Sequence, residues 1–421
     1  MRSRWIVAGV GVWLSAMAAA YGQKPLAPSA MRNHAAIRYQ ETAPRDAVAV
    51  LNARLQRGDT QLTWEPGAGY LKSVLAALHV PVDSQLLVFS KTSFQASLIN
   101  PGNPRALYFN DTVSVGWVRG GPVLEFIGQD PTQGAIFYTL EQKQDVAPRF
   151  TREISCVQCH TWEATDDVPG MFLGSGFPAA NGTLLYAPVY SSDHRTPFDV
   201  RWGGWYVTGT HALPRHMGNA RVTPDTTLDT MVSAKTLNVT SLAGQFDMTG
   251  YPSPHSDIVA LMVLEHEARM LNLITRAGWE ARLGQESARR REDVVEELVD
   301  YLLFVNEQPL PGAVTGTSTF TRTFPSSGPR DARGRSLREF DLRTRMMRYP
   351  CSFLIYSEPF NALPGDVKRD VYARMWTILS GRAHEPRYAV LSPADRQAIL
   401  EILRDTKPDL PEYFVIPAVG P

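Results

Sequence analysis

The residues of this chain best placed to do chemistry are Cys156, Cys159 and His160, in the run Cys156-Val157-Gln158-Cys159-His160. Two thiols three positions apart can act on one shared partner, and an imidazole follows directly. Three chemistries use such a set. A dithiol can cycle with a disulfide, but that reading expects a thioredoxin-like βαβ setting, which the flanks do not show. The pair can form half of a zinc site. Zinc wants four ligands, and with only 3 cysteines in the chain remote histidines would have to complete the set. Or the thiols can form thioethers with the two vinyl groups of one haem, placing His160 under the ring as an iron ligand.

The amino terminus bears on that choice. Arg2 and Arg4 precede an apolar stretch from Ile6 to Ala20, and small residues lead into Tyr21 and Gly22. This charged, apolar, small-residue order predicts a secretory signal peptide over residues 1–22, cleaved after Ala20 or Gly22. The apolar run, about 15 residues, is short for the roughly 20 needed to span a bilayer. The expected location is therefore periplasmic or otherwise exported, where covalent haem attachment takes place in bacteria. Two signals far apart in the chain thus point the same way.

Composition narrows the class. The chain has 421 residues with 42 basic and 42 acidic side chains. The balanced charge gives no reason to expect nucleic acid or an anionic membrane as a partner, and no stable membrane insertion is expected. At 44% apolar residues, a sizeable core is available. Cys351, in Tyr349-Pro350-Cys351-Ser352-Phe353, has no intrachain partner once the other two thiols are committed, and is expected to be buried.

The elements that must position the motif divide the chain. Residues 23–150 read as strand-rich. Gln85–Phe89, Ala106–Phe109, Val113–Trp117, Leu124–Phe126 and Ala135–Leu140 form short runs, several of them alternating, with turns at Asn110-Asp111, Gly120-Gly121-Pro122 and 130–134; this predicts an antiparallel meander. Residues 151–220 hold the cysteine motif, with strand-like stretches at 183–190 and 202–210. Residues 221–421 read as mainly helical. Ser256 can cap a helix to about Arg276; Val294, Leu298, Leu302 and Val295, Val299, Leu303 form two helical rows; Val371, Met375 and Leu379 mark a third helix that Gly381 can end. Ser392-Pro393-Ala394-Asp395 has the form of a capping box for a helix to about Arg404, and 309–335 reads as a long loop. The expected class is α+β: strands first, the motif on a loop in the middle, helices last.

Cys156-Val157-Gln158-Cys159-His160 resembles the haem-binding motif of the c-type cytochromes. That resemblance implies one covalent haem c with thioethers at Cys156 and Cys159 and a proximal iron ligand at His160. It covers few residues. Small cytochromes c place a helix before the motif, whereas here the preceding segment is strand-like and ends in Arg149-Phe150-Thr151-Arg152. A compact small all-α cytochrome c is therefore not expected. Pro104–Asp111 and Arg201–Tyr206 look similar to segments of larger exported bacterial proteins that carry one such motif.

The second axial position would set the chemistry. Methionine there raises the potential, histidine lowers it, and an open side admits a small molecule. Met217, His216 and His211 cluster in Thr210–Gly218 and are the candidate ligands, taken in that order. Met171 is closer in sequence. Met262, His266 and Met270 share a helical face that reads as core. Trp162, Trp202, Trp205 and Tyr206 are candidates to pack on a porphyrin, and Arg201 or Arg215 to pair with its propionates. The leading expectation is an electron-transfer protein with a redox partner protein. The alternatives are a monohaem oxidoreductase, peroxidase-like or acting on a small substrate, and a haem-containing binding or sensor subunit.

Overall fold

The computed structural model describes residues 27–185, 189–222, 235–287 and 289–414; the expected signal peptide lies outside them. The alternating runs form an antiparallel sheet: β1 (Leu86–Val88), β2 (Arg105–Asn110), β3 (Val113–Trp117), β4 (Val123–Asp130), β5 (Gly134–Glu141) and β6 (Phe150–Arg152). A late strand, β9 (Trp205–Tyr206), closes the far edge, giving the seven-stranded order β6-β5-β4-β3-β2-β1-β9. β7 (Leu173–Ser175) and β8 (Tyr190–Ser192) pair separately, as do β10 (Gly209–Thr210) and β11 (Thr315–Gly316). The segment 183–190, read as strand-like, contributes only a bridge between Pro178 and Leu184 and the start of β8, with 186–188 outside the described residues.

Successive side chains of a strand point to opposite faces, and the two faces here differ. One carries Leu87, Ala106, Tyr108, Val115, Leu124, Phe126, Tyr138 and Tyr206, and packs on α1 (Ala47–Arg57) and α2 (Leu71–Ala77) through Val48, Leu51, Leu71 and Val74. The other is divided. Near β1 and β9 it carries Leu86, Val88, Phe109 and Trp205, which share a core with the long helix α3 (Ile258–Leu283). Toward β4 and β5 the same face carries Leu107, Ser114, Glu125, Ile127 and Thr139, all only partly buried. This half-open stretch adjoins the cysteine motif.

The C-terminal half is helical, so the chain is α+β. α3 begins one residue later than expected, because Asp257 rather than Ser256 caps it, and it continues past Arg276 to Leu283. The Asp257 carboxylate accepts from Val259 N and Ala260 N, and Ser256 Oγ instead donates to Tyr206 O and accepts from Leu87 N. α4 (Arg291–Leu302) and α5 (Gly365–Leu379) follow, and α6 (Pro393–Thr406) carries the capping box between Ser392 and Asp395. The 309–335 segment is a chain of short turns that buries Leu310, Val314, Phe320 and Phe324 in the α3 core. Cys351 is fully buried there, and burial pushes its thiol up to about 12. No helix among the described residues is long and apolar enough to cross a membrane.

α3 also carries a buried histidine stack. His266 and His194 face each other through their Nδ1 atoms at 2.8 Å, and His266 Nε2 meets Ser352 Oγ at 2.7 Å. Both rings stack on Tyr301 and Phe304. Burial lowers His266 to about 3. Its folded-state pKa lies below its unfolded value, so the stability it contributes is complete above about pH 6.5 and is lost as pH falls toward 3. His266→Gln removes the titration but keeps hydrogen-bonding capacity. Urea melts between pH 7.5 and 4.5 should show wild type losing stability relative to this variant, by up to about 1.4 kcal/mol per pH unit below 6.5. A constant difference across that range would contradict the assignment.

Candidate functional site

The motif follows the edge strand β6 as a tight turn, Ile154–Gln158, in which Cys159 N and His160 N both donate to Cys156 O. Val157 is buried and anchors the turn, while Cys156 is half-buried and Cys159 exposed. Both are free thiols. Arg32, from the N-terminal region, clamps the turn by donating Nη1 to Val157 O and to Thr161 Oγ1, each at 3.2 Å.

His160 is held twice by one residue. Gly170 N donates to His160 O at 3.0 Å, and His160 Nδ1 meets Gly170 O at 3.0 Å. A carbonyl can only accept, so Nδ1 carries the proton and Nε2 keeps its lone pair. Burial lowers the pKa of His160 and favours this neutral form. Nε2 has no hydrogen-bond partner among the described residues. The ring lies between Phe137 of β5 and Phe172, with centroids 4.9 and 5.8 Å away, and Phe172 meets Trp162 edge-on at 5.5 Å. Trp162 is 43% exposed.

The acceptor is itself fixed by α3. Asn272 Nδ2 donates to Met171 O at 2.8 Å, and its Oδ1 accepts from Met171 N at 3.2 Å. Gly170 has to be glycine for space: a Cβ there would lie 2.2 Å from Asn272 Oδ1. The turn before it uses Asp166 and Asp167 in left-handed conformation (φ 54° and 59°). Arg276 Nη1 donates to Asp166 O at 3.0 Å, and Arg269 pairs with the Asp166 carboxylate at 3.2 Å. Sequence reasoning missed Arg32, Phe137, Gly170, Phe172 and Asn272. A polar Asn272 among the apolar residues of α3 was the one local signal.

The other candidate ligands are gathered elsewhere. His211 Nε2 and His216 Nε2 lie 3.0 Å apart, and Gly218 N donates to His216 Nδ1 at 3.0 Å. Because His216 Nδ1 accepts, the proton of the neutral ring sits on Nε2 and is directed to His211. That is the reverse of the arrangement at His160. Met217 is fully buried in a small cluster with Ala220 and Val222, packed by Phe177 and Val200. Among the described residues no hydrogen bond or ring contact joins His211, His216 or Met217 to His160. Met171 is nearer. Its side chain is half-buried beside Ser114, Ile127 and Gln129 of the half-open face, with Ser114 Oγ 3.7 Å from its sulfur. Met262 and Met270, like His266, are core.

Of the aromatic candidates, Trp202, Trp205 and Tyr206 are buried in the two cores, and only Trp162 borders the motif. Arg201 is committed: its guanidinium donates to Thr196 O, His194 O and the Glu265 carboxylate.

The rival chemistries of the thiols fare differently. Burial, with Glu153 and Glu125 nearby, pushes Cys156 up to about 11. A dithiol redox nucleophile needs the opposite shift. Among the described residues no group of three or more His, Cys, Asp and Glu side chains is arranged to hold a metal ion, so the further protein ligands of a zinc site are not assembled. No family model matches the chain, and no curated protein or solved structure is detectably similar to it.

Proposed function

We propose that this chain is an exported electron-transfer protein carrying one haem c, attached through Cys156 and Cys159 with His160 as proximal ligand. The observation that carries the reading is the orientation of His160. A ligating histidine needs one nitrogen free and the other anchored, and the Nδ1–Gly170 O contact supplies the anchor. The residues around it fit the group: two free thiols on the turn, aromatic rings of Phe137, Phe172 and Trp162, and the partly buried Leu107 and Ile127 on the adjoining face. When bound, such a group supplies an iron that accepts and releases one electron. The chain's own contribution is to orient the imidazole through Gly170 and Asn272. Exposed Cys159 and Trp162 keep the motif at the surface, where a redox partner protein can approach.

A second reading has its own support. Met217, His216 and His211 are engaged in their own packing and hydrogen bonds, which favours a monohaem oxidoreductase with an open distal side. Optical spectra of the reduced holoprotein with and without carbon monoxide separate the two. Electron transfer through a six-coordinate haem predicts a spectrum indifferent to carbon monoxide; rapid binding would replace it with the open-site enzyme.

A further inference from the structure

The half-open sheet face beside His160 carries an ion pair between Arg105 and Glu125. Arg105 on β2 and Glu125 on β4 are separated by β3 and offset by two residues along the ladder, because Glu125 faces Gly116 and Gly116 faces Leu107, so their backbones are about 12 Å apart. They nevertheless meet, Nη1 to Oε2, at 2.8 Å. The side chains reach one another past Gly116, where a Cβ would lie 3.2 Å from Glu125 Oε2 and 3.5 Å from Leu107 Cδ2. The pair is largely sheltered, with side chains 17% and 16% exposed.

Its two members are not equally satisfied. Glu125 also accepts from Ser93 Oγ at 2.5 Å and from Gln95 Nε2 at 2.9 Å. Among the described residues Arg105 gives a single hydrogen bond from a group with five N–H donors, and its Nε is buried without an acceptor. A sheltered guanidinium with unengaged donors is costly unless an acceptor arrives.

Placement indicates which acceptor. Phe137, which touches the His160 ring, pairs with Ile127 across the β4–β5 ladder. Glu125 is two residues along from Ile127 and points to the same face, about 7 Å away. The ion pair and the motif therefore border the same half-open sheet face.

We propose that Arg105 is the cation that receives a haem carboxylate, with Glu125 and its donors Ser93 and Gln95 holding the guanidinium across Gly116. The inference rests on the haem reading above. A guanidinium binds a carboxylate through paired donors, which suits it to a porphyrin propionate. As positioning residues, Arg105 and Glu125 would also place opposite charges near the iron.

The test is an equilibrium redox titration of the haem-loaded full chain with resonance Raman spectra. Arg105→Gln should lower the midpoint potential, since a cation near the iron favours the ferrous state, and Glu125→Gln should raise it. A merely structural role would not give shifts of opposite sign. The propionate-bending band should move in Arg105→Gln and stay in place in an Arg57→Gln surface control. Should Arg105→Gln fail to fold, Arg105→Lys keeps the charge and loses the paired geometry, and the band should still move. Holoprotein variants with unchanged potentials, potentials shifted in the same direction, or an unmoved propionate band would overturn the inference while leaving haem attachment standing. A parent chain without covalent haem would overturn both.

Discussion

The double variant Cys156→Ala/Cys159→Ala should lose covalently held haem completely, while Cys351→Ala should retain it. Haem-stained denaturing gels of protein from a host with haem c maturation read this directly. The contrast follows from where the thiols lie. Cys156, half-buried, and Cys159, exposed, sit on one turn after β6, and Cys351 is sealed in the α3 core. Denaturation removes any haem held only through iron or by packing, so a stained band requires a thioether. A band that persists in the double variant would remove the thioethers from the account. Loss of the band in Cys351→Ala with its fold intact would mean that the wrong cysteines have been assigned.

The largest expected effect on stability lies at the residue that precedes His266 of the histidine stack. Glu265→Ala should destabilise the chain by about 3–5 kcal/mol, because it leaves a buried guanidinium unpaired. Glu265 is fully buried, and Arg201 is 2% exposed; they pair at 3.2 Å. The other carboxylate oxygen accepts from Trp202 Nε1 at 3.1 Å. Burial pushes Glu265 up to about 7, opposed by Arg201 and Trp202. Against a total stability of about 5–15 kcal/mol for a domain, such a loss is severe. Replacing both charges with apolar residues, as in Arg201→Met/Glu265→Leu, should recover much of it, because no buried charge then lacks a partner. Urea unfolding measures all three proteins. A loss below about 1 kcal/mol in the single variant would show that water reaches the pair.

The parts of this structure that were legible in the sequence are those set by local pattern. Alternation in 106–117 and 124–140 marked the meander, and the Ser392–Asp395 box marked the start of α6. The two valine–leucine rows marked α4. What escaped depends on partners distant in the chain. β9 joins the sheet beside β1 through Val88↔Trp205 and Leu87↔Tyr206, a pairing no local period encodes. The 309–335 segment has the composition of a loop, yet Phe320 and Phe324 are buried because neighbouring elements cover them. Ser256 and Asp257 are equally good caps by type, and the choice was made by Tyr206, whose carbonyl occupies the serine hydroxyl.

The candidate site divides in the same way. Cys156, Cys159 and His160 are contiguous and were visible at once. Gly170 and Asn272 orient His160, but lie 10 and 112 positions away, and only the fold brings them together. Conversely, Met217, His216 and His211 are neighbours in the sequence, and that proximity said nothing about the contact between His211 and His216 or the packing of Met217 against Ala220 and Val222.

Covalent attachment of one haem to this chain is read from the intact mass of the protein purified from a haem-c-maturing host. The expected mass is that of the processed chain plus one haem, with Cys156 and Cys159 both protected from alkylation. A chain of apoprotein mass with both thiols open to alkylation would contradict it.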